Sequence, residues 1–134
     1  MIIKQLSIDI ENKAGSSWLV FNTLAESGIN ILSYSIADTA DHGILRLIVD
    51  NINTATAVLH AKGFSTKQTD VFSLNCPNET GSMAKVLQRL AEKNVSINYM
   101  YAFQYMGISQ AIIHAEDMDL LKKVLTEYER ERLH

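Results

Sequence analysis

Apolar and polar residues alternate at Leu6, Ile8 and Ile10, and again at Phe72, Leu74 and Cys76. A period of two places alternate side chains on one face, so each stretch predicts a half-buried strand. The period then lengthens. Trp18, Phe21, Leu24 and Ala25, and later Met83, Val86, Leu87, Leu90 and Ala91, share one helical face. Ser16 and Ser82 are placed as N-caps of these helices, and Gly28 and Asn94 as the left-handed residues that end them. Two strands follow at 29–37 and 44–49, separated by a turn over 38–43, with counterparts at 95–105 and 109–115. A second helix is predicted near 54–61 and 118–128.

The same order of periods occurs twice because the chain is an internal repeat. Sliding the sequence on itself by about 66 residues aligns the halves without a gap. Ser7, Asn12, Gly15, Ser16, Val20, Leu24 and Ile31 then fall on Ser73, Asn78, Gly81, Ser82, Val86, Leu90 and Ile97. Similar residues fill between, as in Ile8 with Leu74, Leu47 with Ile113 and Asp50 with Glu116.

Strand, helix, strand, strand, helix, strand is the ferredoxin-like arrangement, in which an antiparallel sheet carries helices on one face. The expected fold class is therefore α+β, two tandem βαββαβ repeats, with domains at 1–68 and 69–134. The last strand does not fit cleanly. Residues 64–69 run straight into the next opening strand, and 129–134 read as continued charged helix. An edge strand shared or exchanged between the two repeats is the expected resolution.

Composition narrows the function. With 47% hydrophobic and 20% charged residues and one Pro, the chain has the makings of a compact soluble core. A net charge of -3 argues against a nucleic-acid partner, whose phosphates require cationic neutralisation. The longest apolar runs stop far short of the roughly 20 residues that span a bilayer. Residues 1–10 lack the pattern of a secretory signal, so the expected compartment is the cytoplasm. The single cysteine, Cys76, allows no internal disulfide and is read as a buried small hydrophobe.

The chemistry concentrates where each first strand ends. Asn12-Lys13-Ala14-Gly15 and Asn78-Glu79-Thr80-Gly81 lead directly into a helix. Glycine lets a loop backbone approach a ligand closely, and the N–H groups of a helix start favour a carboxylate. A strand ending in Asn-x-x-Gly, a helix of this length, and Gly28-Ile29-Asn30-Ile31 entering the next strand resemble the ACT domain, a family of amino-acid-binding regulatory modules. The resemblance covers essentially the whole chain, twice. It implies that Asn12 and Asn30, with Asn78 and Ser96 in the second copy, hold the polar groups of a free amino acid. It further implies a ligand between the loop of one copy (Ala14, Gly15, Ser16; Thr80, Gly81, Ser82) and the second strand of a neighbour, beginning at Ile31 or Ile97. The family's His before the loop Asn is Ile10 or Cys76 here, and its Pro before the Gly is Ala14 or Thr80. Serine as the ligand is therefore not carried over.

Tyr99, Tyr101, Phe103 and Tyr105 alternate along one strand and should share one sheet face. Without interleaved Lys or Arg, packing against another sheet explains this ladder better than stacking on bases. Trp18, just inside the first helix, is placed to wall the first cleft, but its helical spacing with Phe21 favours a reading as core. His42, His60, His114 and His134 have no His or Cys partner at metal-ligand spacing. No nucleophile elbow, P-loop or dinucleotide glycine pattern is visible, and neither an enzyme nor a cofactor is expected.

The sequence thus predicts an amino-acid sensor with a free amino acid as ligand, assembled as a homo-oligomer such as a dimer, regulating a separate metabolic enzyme or regulator. The alternative is a scaffold that kept the fold, lost the ligand, and uses the aromatic ladder for assembly.

Overall fold

The computed structural model describes residues 1–38 and 41–132. The chain forms β1 (Ile2–Glu11), α1 (Ser16–Glu26), β2 (Ile31–Asp38), β3 (His42–Val49), α2 (Ile52–Ala61), β4 (Ser65–Asn75), α3 (Ser82–Glu92), β5 (Ile97–Tyr105), β6 (Ile108–Ala115) and α4 (Met118–Arg132). The fold is α+β with antiparallel strands, a βαββαβ unit repeated twice. Of the turn expected over 38–43, residues 39 and 40 lie outside the described residues, as does His134.

Two compact units divide the chain: residues 4–69, and residues 70–134 together with 1–3. In the first, the strand order is β2-β3-β1-β4, with β4 contributing its opening stretch, 65–69. β1 pairs with β3 through Leu6↔Leu47 and Ile8↔Leu45, and β2 with β3 through Tyr34↔Leu47. In the second, the order is β1-β4-β6-β5, with β1 contributing only residues 1–3. There the Ser73 amide donates to the carbonyl of Met1 at 2.8 Å. The first stretch of the chain thus supplies the strand that the second repeat lacks, because α4 runs on as a 15-residue helix where a fourth strand would begin. The exchanged edge strand expected from the sequence is what forms.

Each unit closes a core on its helix-covered face. Leu6, Ile8, Val20, Leu24, Ile29, Leu47 and Leu59 pack together in one, and their repeat counterparts Phe72, Leu74, Val86, Leu90, Val95, Ile113 and Leu125 pack in the other. Burial of one such side chain stabilises by about 1.5–3 kcal/mol, so the shared pattern suffices to specify both cores. Cys76 is buried, as expected.

Three local expectations change. The N-caps are Gly15 and Gly81, in the left-handed region at φ 89° and 83°, while Ser16 and Ser82 are the first helical residues. Ile29 and Val95 close helices rather than open strands. Their amides return to Leu24 and Leu90 at 3.0 and 2.9 Å, while Gly28 and Asn94 take φ of 72° and 57°. The buried face of α1 is Val20, Thr23 and Leu24, so Trp18 and Ala25 face outward. Thr23 tolerates burial because its hydroxyl donates to the Leu19 carbonyl at 2.7 Å. Trp18 is 63% exposed, which corrects its reading as core.

Candidate functional site

The β1–α1 loop turns the chain from strand to helix in four residues. Gly15 permits this because its backbone is left-handed, a conformation that costs an L side chain about 1–2 kcal/mol. The turn is closed by the backbone alone. Lys13 N–H donates to Glu11 O at 2.9 Å, Ser16 N–H to Lys13 O at 3.3 Å and Leu19 N–H to Gly15 O at 3.0 Å. No side chain caps α1. The N–H groups of Ser17 and Trp18 therefore remain directed out of the helix start, where the helix dipole favours an anion.

This helix start opens on a cleft of about 630 Å³ within the first unit, in the size range of small-molecule sites. One wall is the loop and first turn: Ala14, Gly15, Ser16, Trp18 and Leu19. The floor is the end of β1 at Asp9 and Ile10, with His42 at the start of β3 beside it. The opposite wall is the α2–β4 turn, Lys62, Gly63, Phe64 and Ser65. Gly63, at φ 88°, ends α2 by the same device as Gly28: its amide donates to His60 O and that of Phe64 to Leu59 O, each at 3.0 Å. At the rim Lys13 Nζ lies 3.0 Å from Glu11, both well exposed, so both signs of charge flank the opening.

Of the residues singled out in the first repeat, Ala14, Gly15 and Ser16 line this cleft. Asn12 is exposed and outside its lining. Asn30 and Ile31 stand at the other end of α1, about 16 Å away by the rise of an 11-residue helix. The Asn30 backbone is held by Asp50, accepting from its amide and donating to its carboxylate, each at 3.1 Å. One unit therefore cannot bring Asn12 and Asn30 to the same amino acid.

The second repeat is built differently at the same place. Its loop borders two smaller cavities, of about 160 and 240 Å³. Asn78 lines both and Ser82 one, whereas Thr80, Gly81, Ser96 and Ile97 line neither. The position matching Gly63 is Glu129, so α4 continues and brings Arg132 to the cavity of about 240 Å³, where its guanidinium donates to the Asn75 carbonyl at 2.7 Å. The Ser96 carbonyl accepts from Glu116 as Asn30 does from Asp50.

Leu19 and the turn 62–65 were not anticipated, and Trp18 lines the cleft, the less favoured of its two sequence readings, rather than the core. A signal existed in the repeat alignment, since Gly63 breaks a helix that Glu129 continues, but its effect on the loop is a tertiary matter. The aromatic alternation sits on β5 facing away from the helices, paired with β6 as Tyr99↔His114, Tyr101↔Ile112 and Phe103↔Gln110. Tyr99 stacks on His114 at 4.9 Å with the rings 3° from parallel, and His114 Nδ1 lies 2.9 Å from Asn98 Oδ1. The side chain of Tyr105 lies outside the described residues. No helix is long and apolar enough to cross a membrane. Among the described residues no three His, Cys, Asp or Glu side chains converge as metal ligands.

Comparison with known proteins places this geometry. The family model described as an ACT domain pair matches residues 1–132. A protein of Bacteroides thetaiotaomicron of known crystal structure is 40% identical, with a TM-score of 0.88 over 96% of this chain and 90% of that one. The regulatory subunit of aspartate kinase from Thermus thermophilus, solved free of ligand, is 16% identical, with a TM-score of 0.66 over 97% and 96%. The corresponding subunit from Thermus flavus is also 16% identical, with a TM-score of 0.60 over 95% and 94%. At these identities the two kinase subunits show the shared fold. No curated protein matches. With the family model spanning both repeats, the chain belongs to the ACT domain pair family.

Proposed function

We propose that this protein binds a free α-amino acid at the Ala14–Ser16 loop and transmits its occupancy to a separate protein. The observation that carries this reading is an uncapped helix start at Gly15 that opens into a cleft of molecular size. The amide groups of the first turn suit the ligand carboxylate, and the carboxylates of Asp9 and Glu11 in the lining suit its ammonium. Asn30 enters the same site from a second copy, because within one unit it is a helix length away. A homo-oligomer that sets the β2 edge of one copy against the loop of another meets that requirement. The Thermus relatives are named as regulatory subunits, which favours a regulatory role toward an enzyme carried on another chain.

Affinities that follow metabolite pools, micromolar to millimolar, correspond to about 4 to 8 kcal/mol. Two or three charge-assisted hydrogen bonds and one side-chain pocket are enough for that. The test is a melting-temperature screen against the twenty amino acids. A ligand at 100 times its dissociation constant stabilises the native state by about 2.7 kcal/mol. A selective upward shift that Gly15→Val removes is expected. No shift with any amino acid would leave the scaffold as the better account.

A further inference from the structure

We infer that the amino acid taken by this cleft carries a large apolar side chain, aromatic above all, and that Trp18 is the residue that selects it. The inference rests on the amino-acid reading of the same cleft.

Trp18 is the only tryptophan of the chain, and it stands 63% exposed on the cleft wall. It makes no ring or cation contact among the described residues, whereas Phe21 meets Tyr34 edge to face at 5.4 Å. Its neighbour Leu19 is 44% exposed. Facing them are Phe64 and the buried Ile10. Such a space stays unfavourably wet until an apolar body fills it.

The polar groups are arranged for a backbone rather than for a polar side chain. The Glu11–Lys13 pair and Lys62 are exposed. The hydroxyls of Ser16 and Ser65 line the walls, and Asp9 and His42 at the floor are exposed. A ligand with a long charged side chain would lay that charge against Trp18, Leu19 and Phe64, at a desolvation cost that no buried counter-charge repays. A ring meets the indole face instead and gains both area and a directed aromatic contact. The repeat supports the assignment: the position matching Trp18 is Ala84, and the cavities described at the second loop, of about 160 and 240 Å³, are far smaller. Selection by side chain is therefore a property of the first repeat.

Because Trp18 is unique, its fluorescence reports on the cleft directly. Titration of the intact protein with phenylalanine, leucine and methionine is expected to shift the emission to the blue and raise the melting temperature. Glycine, serine, aspartate and lysine are expected to do neither. Trp18→Ala should weaken phenylalanine binding at least about tenfold, within the range that small changes in an apolar pocket produce, and leave the weak binding of alanine nearly unchanged. If glycine, serine, aspartate or lysine raises the melting temperature without moving the emission, the sensor stands and the side-chain inference fails. Equal loss of alanine and phenylalanine binding in Trp18→Ala would also overturn it. If no amino acid changes either signal, the sensor reading fails and this inference with it.

Discussion

Arg132 at the end of α4 donates a 2.7 Å hydrogen bond to the carbonyl of Asn75, the last residue of β4. The contact ties the C-terminal helix to the strand end that feeds the second Asn-x-x-Gly loop. Its guanidinium also lies 5.7 Å from the centre of the Tyr128 ring. In the first repeat α2 stops at Ala61, and the loop borders the larger cleft. Two copies of one motif are thus left open in one case and braced in the other.

Arg132→Ala should therefore act locally. The bond is exposed, so the global loss in urea unfolding should be no more than about 1 kcal/mol. Amide exchange over 75–81 should accelerate, while exchange over 12–18 stays as it was.

Gly15→Val and Gly81→Val should cost about the same stability, roughly 2 kcal/mol each, because both residues are left-handed. A Cβ built at either site meets nothing within 4 Å, so the cost is in the backbone and not in a clash. Their effects on ligand should differ. Gly15→Val should abolish the amino-acid shift in melting temperature, and Gly81→Val should retain it.

The rotation of α1 can be checked by substituting adjacent residues. Leu24→Ala opens the core and should destabilise by about 2–5 kcal/mol. Ala25→Ser, on the exposed side, should change stability by less than about 0.5 kcal/mol. Comparable effects at the two positions would contradict the observed packing.

At Asn94, φ is 57° where Gly28 stands in the first repeat. Asn94→Gly should be neutral or stabilise by up to about 1 kcal/mol, whereas Asn94→Val should destabilise by a similar amount. Chemical denaturation of both variants against the parent distinguishes these signs.

Glu131 accepts from both terminal nitrogens of Arg89, one at 3.1 Å, and this hydrogen bonding holds its carboxyl below the ordinary value. A carboxyl lowered in the native state contributes stability above its unfolded pKa and loses it as pH falls through the lowered native value. The melting temperatures of the parent and Glu131→Gln should differ at neutral pH and converge in acid below the usual carboxylate range. A gap that widens on acidification would show the opposite sign.

The repeat, the order of its elements and most of its core were legible in the linear pattern, because period and spacing are local properties. Leu6, Ile8 and Leu24 could be read as buried from alternation and helical spacing, whereas Val20 was not placed on the helical face. The left-handed residues Gly28 and Asn94 were legible for the same reason: a helix end is written in two or three neighbouring residues. Even the misfit at 129–134 marked the place where a strand had to come from elsewhere.

What only the tertiary structure decided was how distant segments share space. That it is 1–3 that complete the second sheet is a pairing across 72 residues, Ser73 amide to Met1 carbonyl, which no local pattern expresses. Trp18 reads as core at helical spacing with Phe21, yet Val20, Thr23 and Leu24 turn inward, because the sheet offers one face and those residues fill it. The cleft exists because Gly63 ends α2 opposite the Gly15 loop, while Glu129 lets α4 continue and brace its own loop through Arg132. Residues 48 positions apart in sequence form its two walls, and their meeting follows from packing that a one-dimensional period does not contain.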